Sequence, residues 1–393
     1  MKKIAFHITS NKAHFPHMEG LIKELLGKKN IELIVFYANQ SDIETLGELG
    51  SSSLIKKEKL VRLSFSYDSF FWLRLLRGIK RLLLKLIKGV YTLDVHLLYL
   101  NNHKKIKNID AIIFSDSITG NIFKKINPNI KVIWTLHGPS LNDTFPRGRE
   151  PLGVDLVLSP GETTTNSFQN AKCKTAQVGS IKLTSRINFS NSKQLFENNN
   201  KVILFNPHFN ETIGATAWKD FGEDIFEFFK DNPIFNLIFA PHPNWKLVYN
   251  HDFLEAYKDC PNIRIDIDSD KLTNLYYEPF SDIYVGDVSS QVFEYIFLKP
   301  RKTLFLDKGL DSKKHIVNQK QKINVQKAGK IVSSLKEFIF EVETGFDSKT
   351  RDFQMSYVST IFDNTDKTPS KLAADEVLNI IVKEKNEKKS LYS

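Results

Sequence analysis

Cysteine is nearly absent: Cys173 and Cys260 are the only two in 393 residues. Neither has a C-x-x-C neighbour or a histidine at ligand spacing, which excludes a disulfide framework and a zinc site and makes a reducing cytoplasm the expected setting. Long apolar runs are also missing. No window approaches the ~20 apolar residues of a spanning helix, so an integral membrane protein is not expected. The first residues, Met1 to Ser10, carry two lysines and then a four-residue apolar stretch broken by His7. That is too short for a secretory h-region and reads as a first strand. There is no internal repeat and no low-complexity block.

Acidic residues are outnumbered, 45 against 55 lysines and arginines, leaving a net charge of +10. Such a surplus favours a polyanionic partner. The cations concentrate in a predicted basic amphipathic helix over 71–90, where Arg74, Arg77, Arg81, Lys85 and Lys88 recur every three or four residues and fall on one stripe. Leucine and isoleucine fill the rest, with Trp72 at the start. This composition suits a helix lying in a membrane interface and equally a surface helix with a solvated stripe. Nucleic acid is not an expected partner, because aromatics are not interleaved with the cations and no reader motif is present.

What is present is an alternation of strand-length apolar runs with helical stretches. Ile4 to Ile8, Ile31 to Tyr37, Ala111 to Ser115, Val132 to Leu136 and Leu156 to Ser159 each precede a polar turn. The polar, Asn-rich stretch 190–201 reads as a linker. The pattern then restarts with Val202 to Asn206, a helix near 220–230, Leu237 to Ala240, Ile263 to Ile265, Ile283 to Val285, a helix from Ser289 to Leu298, and Thr303 to Leu306. The expectation is an α/β chain of GT-B-like architecture, two Rossmann-type doubly wound parallel-sheet domains facing a cleft. The expected division is 1–189, 201–345 and a helical tail over 346–393, with Ser370 as N-cap of the last helix.

Ligands of open α/β sheets bind at the C-terminal strand edges. Three stretches deliver polar groups there. Trp134-Thr135-Leu136-His137-Gly138-Pro139 places a histidine at a strand end, with Gly138 allowing close backbone approach. Its imidazole, with a reference pKa of ~6.5, suits a general base, although a loop histidine bonding its own turn has the same local sequence. Pro241 and Pro243 fix the backbone around His242, which suits a positioned ligand or a plain tight turn. Asp287-Val288-Ser289-Ser290 opens a helix whose hydroxyls and first amides suit a phosphate, or a simple N-cap. Asp287 is read as orienting a turn amide or a ribose hydroxyl.

In this order the three stretches resemble the bacterial CDP-glycerol glycerophosphotransferase family of teichoic-acid and capsule assembly. The first is similar to the family's Trp-His-Gly element with an inserted residue, Pro241-His242-Pro243 to its His-Pro element, and Asp287-Val288-Ser289-Ser290 with Phe293-Glu294 and Lys299-Pro300 to its Asp-x-Ser-Ser helix start. The similarity covers roughly 110–310. Two features depart from it: Val178-Gly179-Ser180-Ile181-Lys182-Leu183 stands where the family has a Gly-Tyr-Pro-Arg-x-Asp turn, and His208 replaces a threonine.

The resemblance implies transfer of glycerol phosphate or another polyol phosphate from a CDP-activated donor to a hydroxyl of a lipid-linked or polymeric glycan acceptor, with release of CMP. It implies His137 and His242 as catalytic residues and Gly138, Pro241, Pro243, Asp287, Ser289 and Ser290 as substrate-binding residues. It also implies no metal and no cofactor. A lipid-linked acceptor would place the enzyme at the cytoplasmic face of the inner membrane, on its basic helix. Two alternatives stay open. A GT-B glycosyltransferase using CMP-sialic acid or another nucleotide sugar shares the His-Pro and Ser-Ser elements and would use Asp116 as base; a non-catalytic glycan-binding protein would use none of them.

Overall fold

The computed structural model describes residues 1–8, 15–26, 28–37, 60–63, 98–115, 120–136, 138–139, 151–186, 195–209, 211, 215–269, 271–307, 324, 327–363 and 368–390. Two parallel sheets organise them. The first contains β1 (Lys2–His7), β2 (Ile31–Tyr37), β3 (Leu60–Arg62), β4 (Ala111–Phe114), β5 (Lys131–Thr135), β6 (Leu156–Ser159) and β7 (Lys174–Gln177), in the order β3-β2-β1-β4-β5-β6-β7. The second contains β8 (Lys201–Asn206), β9 (Phe235–Phe239), β10 (Ile263–Ile265), β11 (Ile283–Gly286), β12 (Lys302–Leu306) and β13 (Lys330–Val332), in the order β10-β9-β8-β11-β12-β13. Counted from its own first strand, the second sheet reads 3-2-1-4-5-6, the doubly wound order. The expected α/β architecture of two parallel sheets is observed.

Continuous apolar runs become the central strands because both faces of a parallel sheet are covered. Every residue of β4, Ala-Ile-Ile-Phe, and of β9, Phe-Asn-Leu-Ile-Phe, is buried. β3, β7 and β13 are edge strands absent from the sequence-based set. They are short, with sequences Leu-Val-Arg, Lys-Thr-Ala-Gln and Lys-Ile-Val, and each is partly exposed. An edge strand needs no unbroken apolar run.

The sheets repeat one device at their N-terminal edges. Asp110, before β4, accepts the backbone N–H of Lys3 in β1 at 2.8 Å; Asp282, before β11, accepts that of Val202 in β8 at 2.9 Å. Each carboxylate thereby fixes the register of the central strand pair.

Six helices matter for the site: α1 (Pro16–Leu26), α2 (Ile181–Arg186), α3 (Ala217–Asp231), α4 (Ser290–Leu298), α5 (Ser348–Ile361) and α6 (Pro369–Ser390). α2 joins the halves. Ile181 packs in the first core, Leu183 in the second, and Lys182 between them pairs with Glu294 of α4 at 2.5 Å, both side chains buried. α5 also bridges: Tyr357, Val358 and Ile361 lie in the second core, while Thr163 and Thr360 hydrogen-bond and a Cβ on Gly161 would meet the Ile361 carbonyl oxygen at 2.3 Å.

α6 begins at Pro369, so Ser370 lies within the helix rather than capping it. Proline suits a first helical position, whose N–H has no intrahelical acceptor. Ala373, Val377 and Ile381, spaced by four, return to the first core against α1.

Candidate functional site

The second sheet reverses winding direction between β8 and β11, and their C-terminal ends carry the polar cluster. Register sets Gly286 beside Asn206, so closely that a Cβ on Gly286 would meet the Asn206 carbonyl oxygen at 2.3 Å. Asn206, buried, donates to the Ala240 carbonyl at 2.7 Å and accepts from the Tyr284 hydroxyl at 2.9 Å. One side chain thus ties together the ends of β8, β9 and β11.

The loop after β9 is folded by its own backbone. His242 donates its N–H to the Pro207 carbonyl at 3.0 Å and accepts at its own carbonyl from Trp245 at 2.7 Å. The Asn244 N–H donates to His242 Nδ1 at 3.1 Å. An Nδ1 that accepts carries no proton, so the ring is the neutral tautomer with its proton on Nε2, a donor on the side away from the turn. Pro241 and Pro243 flank it and supply no competing N–H.

Three rings meet at this edge. His208 and Phe209, which follow β8, lie 4.6 Å from the His242 ring centroid and 4.7 Å from each other. Burial pushes the His208 imidazole down to about 4, so it is uncharged at neutral pH. Its backbone N–H donates to Asp287 Oδ2 at 2.7 Å, and the Ala217 N–H, at the start of α3, donates to Asp287 Oδ1 at 3.0 Å. Both carboxylate oxygens of Asp287 are therefore spent on backbone amides. Burial pushes this carboxyl up to about 7, against the pull of the amides of His208, Ala217 and Thr216.

Ser289 stands at the N-cap of α4 in extended conformation, yet makes no side-chain cap hydrogen bond. The first turn of α4, beginning at Ser290, thus lacks a side-chain cap, and the amides of such a turn form an anion site with the positive end of the helix dipole. His242, Ser289 and the start of α4 sit on one sheet edge, at its switch point.

From the first sheet, β5 ends at Thr135, whose hydroxyl donates to the His17 carbonyl at 3.2 Å. Trp134 stacks on Phe114 with ring centroids 6.3 Å apart. A small cleft of about 20 Å³ lies beyond, lined by Thr135, Gly138, Ser180, Glu294 and Phe362, so that both halves contribute walls. Glu294 is four positions from Ser290 on α4, one turn along the same helix face. His137, Asp116 and the basic helix with Arg74, Arg77, Arg81, Lys85 and Lys88 lie outside the described residues. Among the described residues there is no group of His, Cys, Asp and Glu able to hold a metal ion, and no helix long and apolar enough to cross a membrane.

Sequence reasoning missed Asn206, Phe209, the Lys182–Glu294 pair and a buried Glu278 behind α4. Asn206 was detectable as a polar residue closing an apolar run. Nothing in the local sequence marks Lys182 or Glu278 as buried.

No family model and no curated protein matches this chain. Solved structures do. S. aureus MnaA bound to UDP superposes with a TM-score of 0.62 at 15% identity, over 98% of this chain and 97% of that one. UDP-GlcNAc 2-epimerase from Neisseria meningitidis, bound to UDP-GlcNAc, gives 0.57 at 15% identity over 96% and 100%. The wall teichoic acid polymerase TagF gives 0.55 at 14% identity over 98% and 89%. At these identities the likeness is one of fold, and the fold is GT-B.

Proposed function

We propose that this chain is a transferase that moves glycerol phosphate, or another polyol phosphate, from a CDP-activated donor to a hydroxyl of a lipid-linked or polymeric cell-surface glycan, releasing CMP. The observation that carries the reading is the pairing, on one switch-point edge, of an uncapped helix start after Ser289 with a neutral His242 that presents Nε2–H. Together they offer several donors and no negative charge to a diphosphate. Asp287, its carboxylate oxygens bonded to backbone amides, lessens the repulsion of an anion at this edge.

In this reading Ser289, Ser290 and the first amides of α4 hold the donor diphosphate, His242 donates to a phosphate oxygen, and Pro241 and Pro243 fix that imidazole. The acceptor hydroxyl attacks the β-phosphorus in line. The new O–P bond forms as the bond to the bridging oxygen breaks, CMP carries away that electron pair, and His137 takes the hydroxyl proton. Gly138 lets the acceptor approach beside it. The cleft lined by Gly138 and Glu294 supports this arrangement because it runs from the first half to the helix that starts at Ser290. The similarity to MnaA and to an epimerase, whose structures hold UDP and UDP-GlcNAc, keeps a nucleotide-sugar donor as the second reading. Asp116 would then be the base.

One assay separates them. Purified protein is given CDP-glycerol, CDP-ribitol, CMP-sialic acid or UDP-GlcNAc with a membrane extract, and nucleotide release is measured. CMP release from a CDP-polyol, lowered ~10²- to 10⁴-fold by His137→Ala, is the expected result. Turnover of CMP-sialic acid alone, lost in Asp116→Asn and retained in His137→Ala, overturns it.

Membrane attachment at the cytoplasmic face through Arg74, Arg77, Arg81, Lys85 and Lys88 belongs to the same proposal. Co-sedimentation with anionic vesicles, lost when Arg77, Arg81 and Lys85 become glutamate in a folded variant, is its expected signature. Binding unchanged by those substitutions removes it.

A further inference from the structure

Glu278 is fully buried, at the start of a 3₁₀ turn spanning Glu278–Phe280. Its carbonyl accepts from the Arg301 guanidinium, which pins the turn. Its side chain reaches α4: Gln291, in the first turn, donates Nε2–H to Glu278 Oε1 at 2.5 Å. Oε2 has no hydrogen-bond partner. A carboxylate half satisfied in a dry interior is costly, and folds do not retain one without a compensating contact.

The groups around it come from every element packed there. Lys182 on α2 attracts the charged form, Glu294 on α4 repels it, and Tyr284 on β11, Tyr295 on α4 and Arg301 before β12 complete the shell. Burial dominates and pushes the carboxyl up to about 7, although the backbone amide of Glu278, Lys182 and Gln291 pull the other way. Glu278 thus titrates where a cell operates, immediately behind the turn whose amides face the proposed anion.

We propose that Glu278 is a positioning residue of the anion site, holding the first turn of α4 through Gln291 and taking up a proton when a nucleotide diphosphate binds that turn. The inference rests on the donor site described above. A diphosphate adds negative charge to a turn already flanked by a buried carboxylate, and two negative charges on one turn favour protonation of the group that can accept a proton. The protonated acid still accepts from Gln291 through its carbonyl oxygen, so the turn remains held.

Calorimetric titration of the full chain with CDP-glycerol and with UDP-GlcNAc, in buffers of different ionisation enthalpy, reads the proton directly. The diphosphates of these compounds are diesters and do not titrate near neutrality. Wild type is expected to take up a fraction of a proton at pH 7, with affinity falling about fivefold from pH 6 to pH 8 for one pKa unit of coupling. Glu278→Gln is expected to lose part of that uptake and to bind with a weaker pH dependence, the remainder being carried by Asp287, whose carboxyl burial also pushes up to about 7. The same proton number in Glu278→Gln overturns the proposal. Gln291→Met keeps the acid but cuts its link to α4, and is expected to weaken binding severalfold while the protein stays folded by circular dichroism. Unchanged affinity in Gln291→Met overturns the positioning role. Binding of neither compound to wild type overturns the donor site and this inference together, an outcome distinct from both of the others.

Discussion

The two sheets share a winding order and an aspartate clasp, yet their switch points are finished differently. In the first sheet β1 ends in His7, buried, with its ring 5.2 Å from Tyr99, which packs edge-on to Phe123 at 4.7 Å. β4 is followed by the buried Ser115. In the second sheet the same two positions lead into Pro207-His208 and Asp287, and the groups there are held by backbone hydrogen bonds while His208, His242 and Ser289 remain partly exposed. Among the described residues, aromatic rings pack around the end of β1, whereas backbone amides gathered on one carboxylate hold the ends of β8 and β11. The same topology thus carries two kinds of support at its strand ends.

The sharpest way to break this contrast is to remove one support from each edge. Lys182→Met leaves Glu294 buried without its cation and is expected to cost about 3–5 kcal/mol. Tyr99→Ala, which empties an aromatic site in the first core, is expected to cost about as much, ~3–5 kcal/mol. Urea melts check both losses. Nucleotide affinity then tells them apart, falling for Lys182→Met and holding for the folded fraction of Tyr99→Ala. Restoration of stability in the double variant Lys182→Met/Glu294→Met would attribute the loss to the uncompensated charge.

A smaller effect comes from acid. The folded-state pKa of His208, about 4, lies below its ordinary value of 6.5. Unfolded chains therefore bind the proton first, and stability is kept at pH 7 and lost as pH falls through that window. Between pH 7 and pH 5 the loss is about 2 kcal/mol. His208→Phe is expected to flatten this part of the stability profile in melts recorded across those pH values.

The smallest change tests the carboxylate net. Asp287→Asn keeps size but turns one acceptor into a donor facing an amide, at an expected cost of roughly 1–2 kcal/mol. Because His208 and Ala217 both lean on that side chain, the loop after β8 should loosen first. Faster amide exchange at His208 with little change at Lys3 checks it.

Central strands were legible because burial on both faces favours apolar runs such as Ala111 to Phe114 and Leu237 to Ala240. Edge strands such as Lys174–Gln177 were not, since one solvated flank permits a polar sequence. Asp287 was legible as a turn-orienting residue because it sits just past an apolar strand, where the backbone amides of His208 and Ala217 need an acceptor. The Lys182–Glu294 pair was invisible, since two polar letters separated by a hundred positions become partners only when α2 spans both cores. Ser370 misled because its hydroxyl suits a cap, whereas the helix already starts at Pro369 and the Lys371 and Leu372 amides bond to the Thr368 carbonyl.

The return of α6 to the first core has a consequence for synthesis. Ala373, Val377 and Ile381 cover apolar surface on α1 that was made more than three hundred residues earlier. The first half cannot finish its interior while it is being made, and waits with an uncovered face until the last helix emerges. Its folding is therefore timed by the end of the chain, and truncation ahead of Pro369 would strand a nearly complete domain in a sticky, unfinished state.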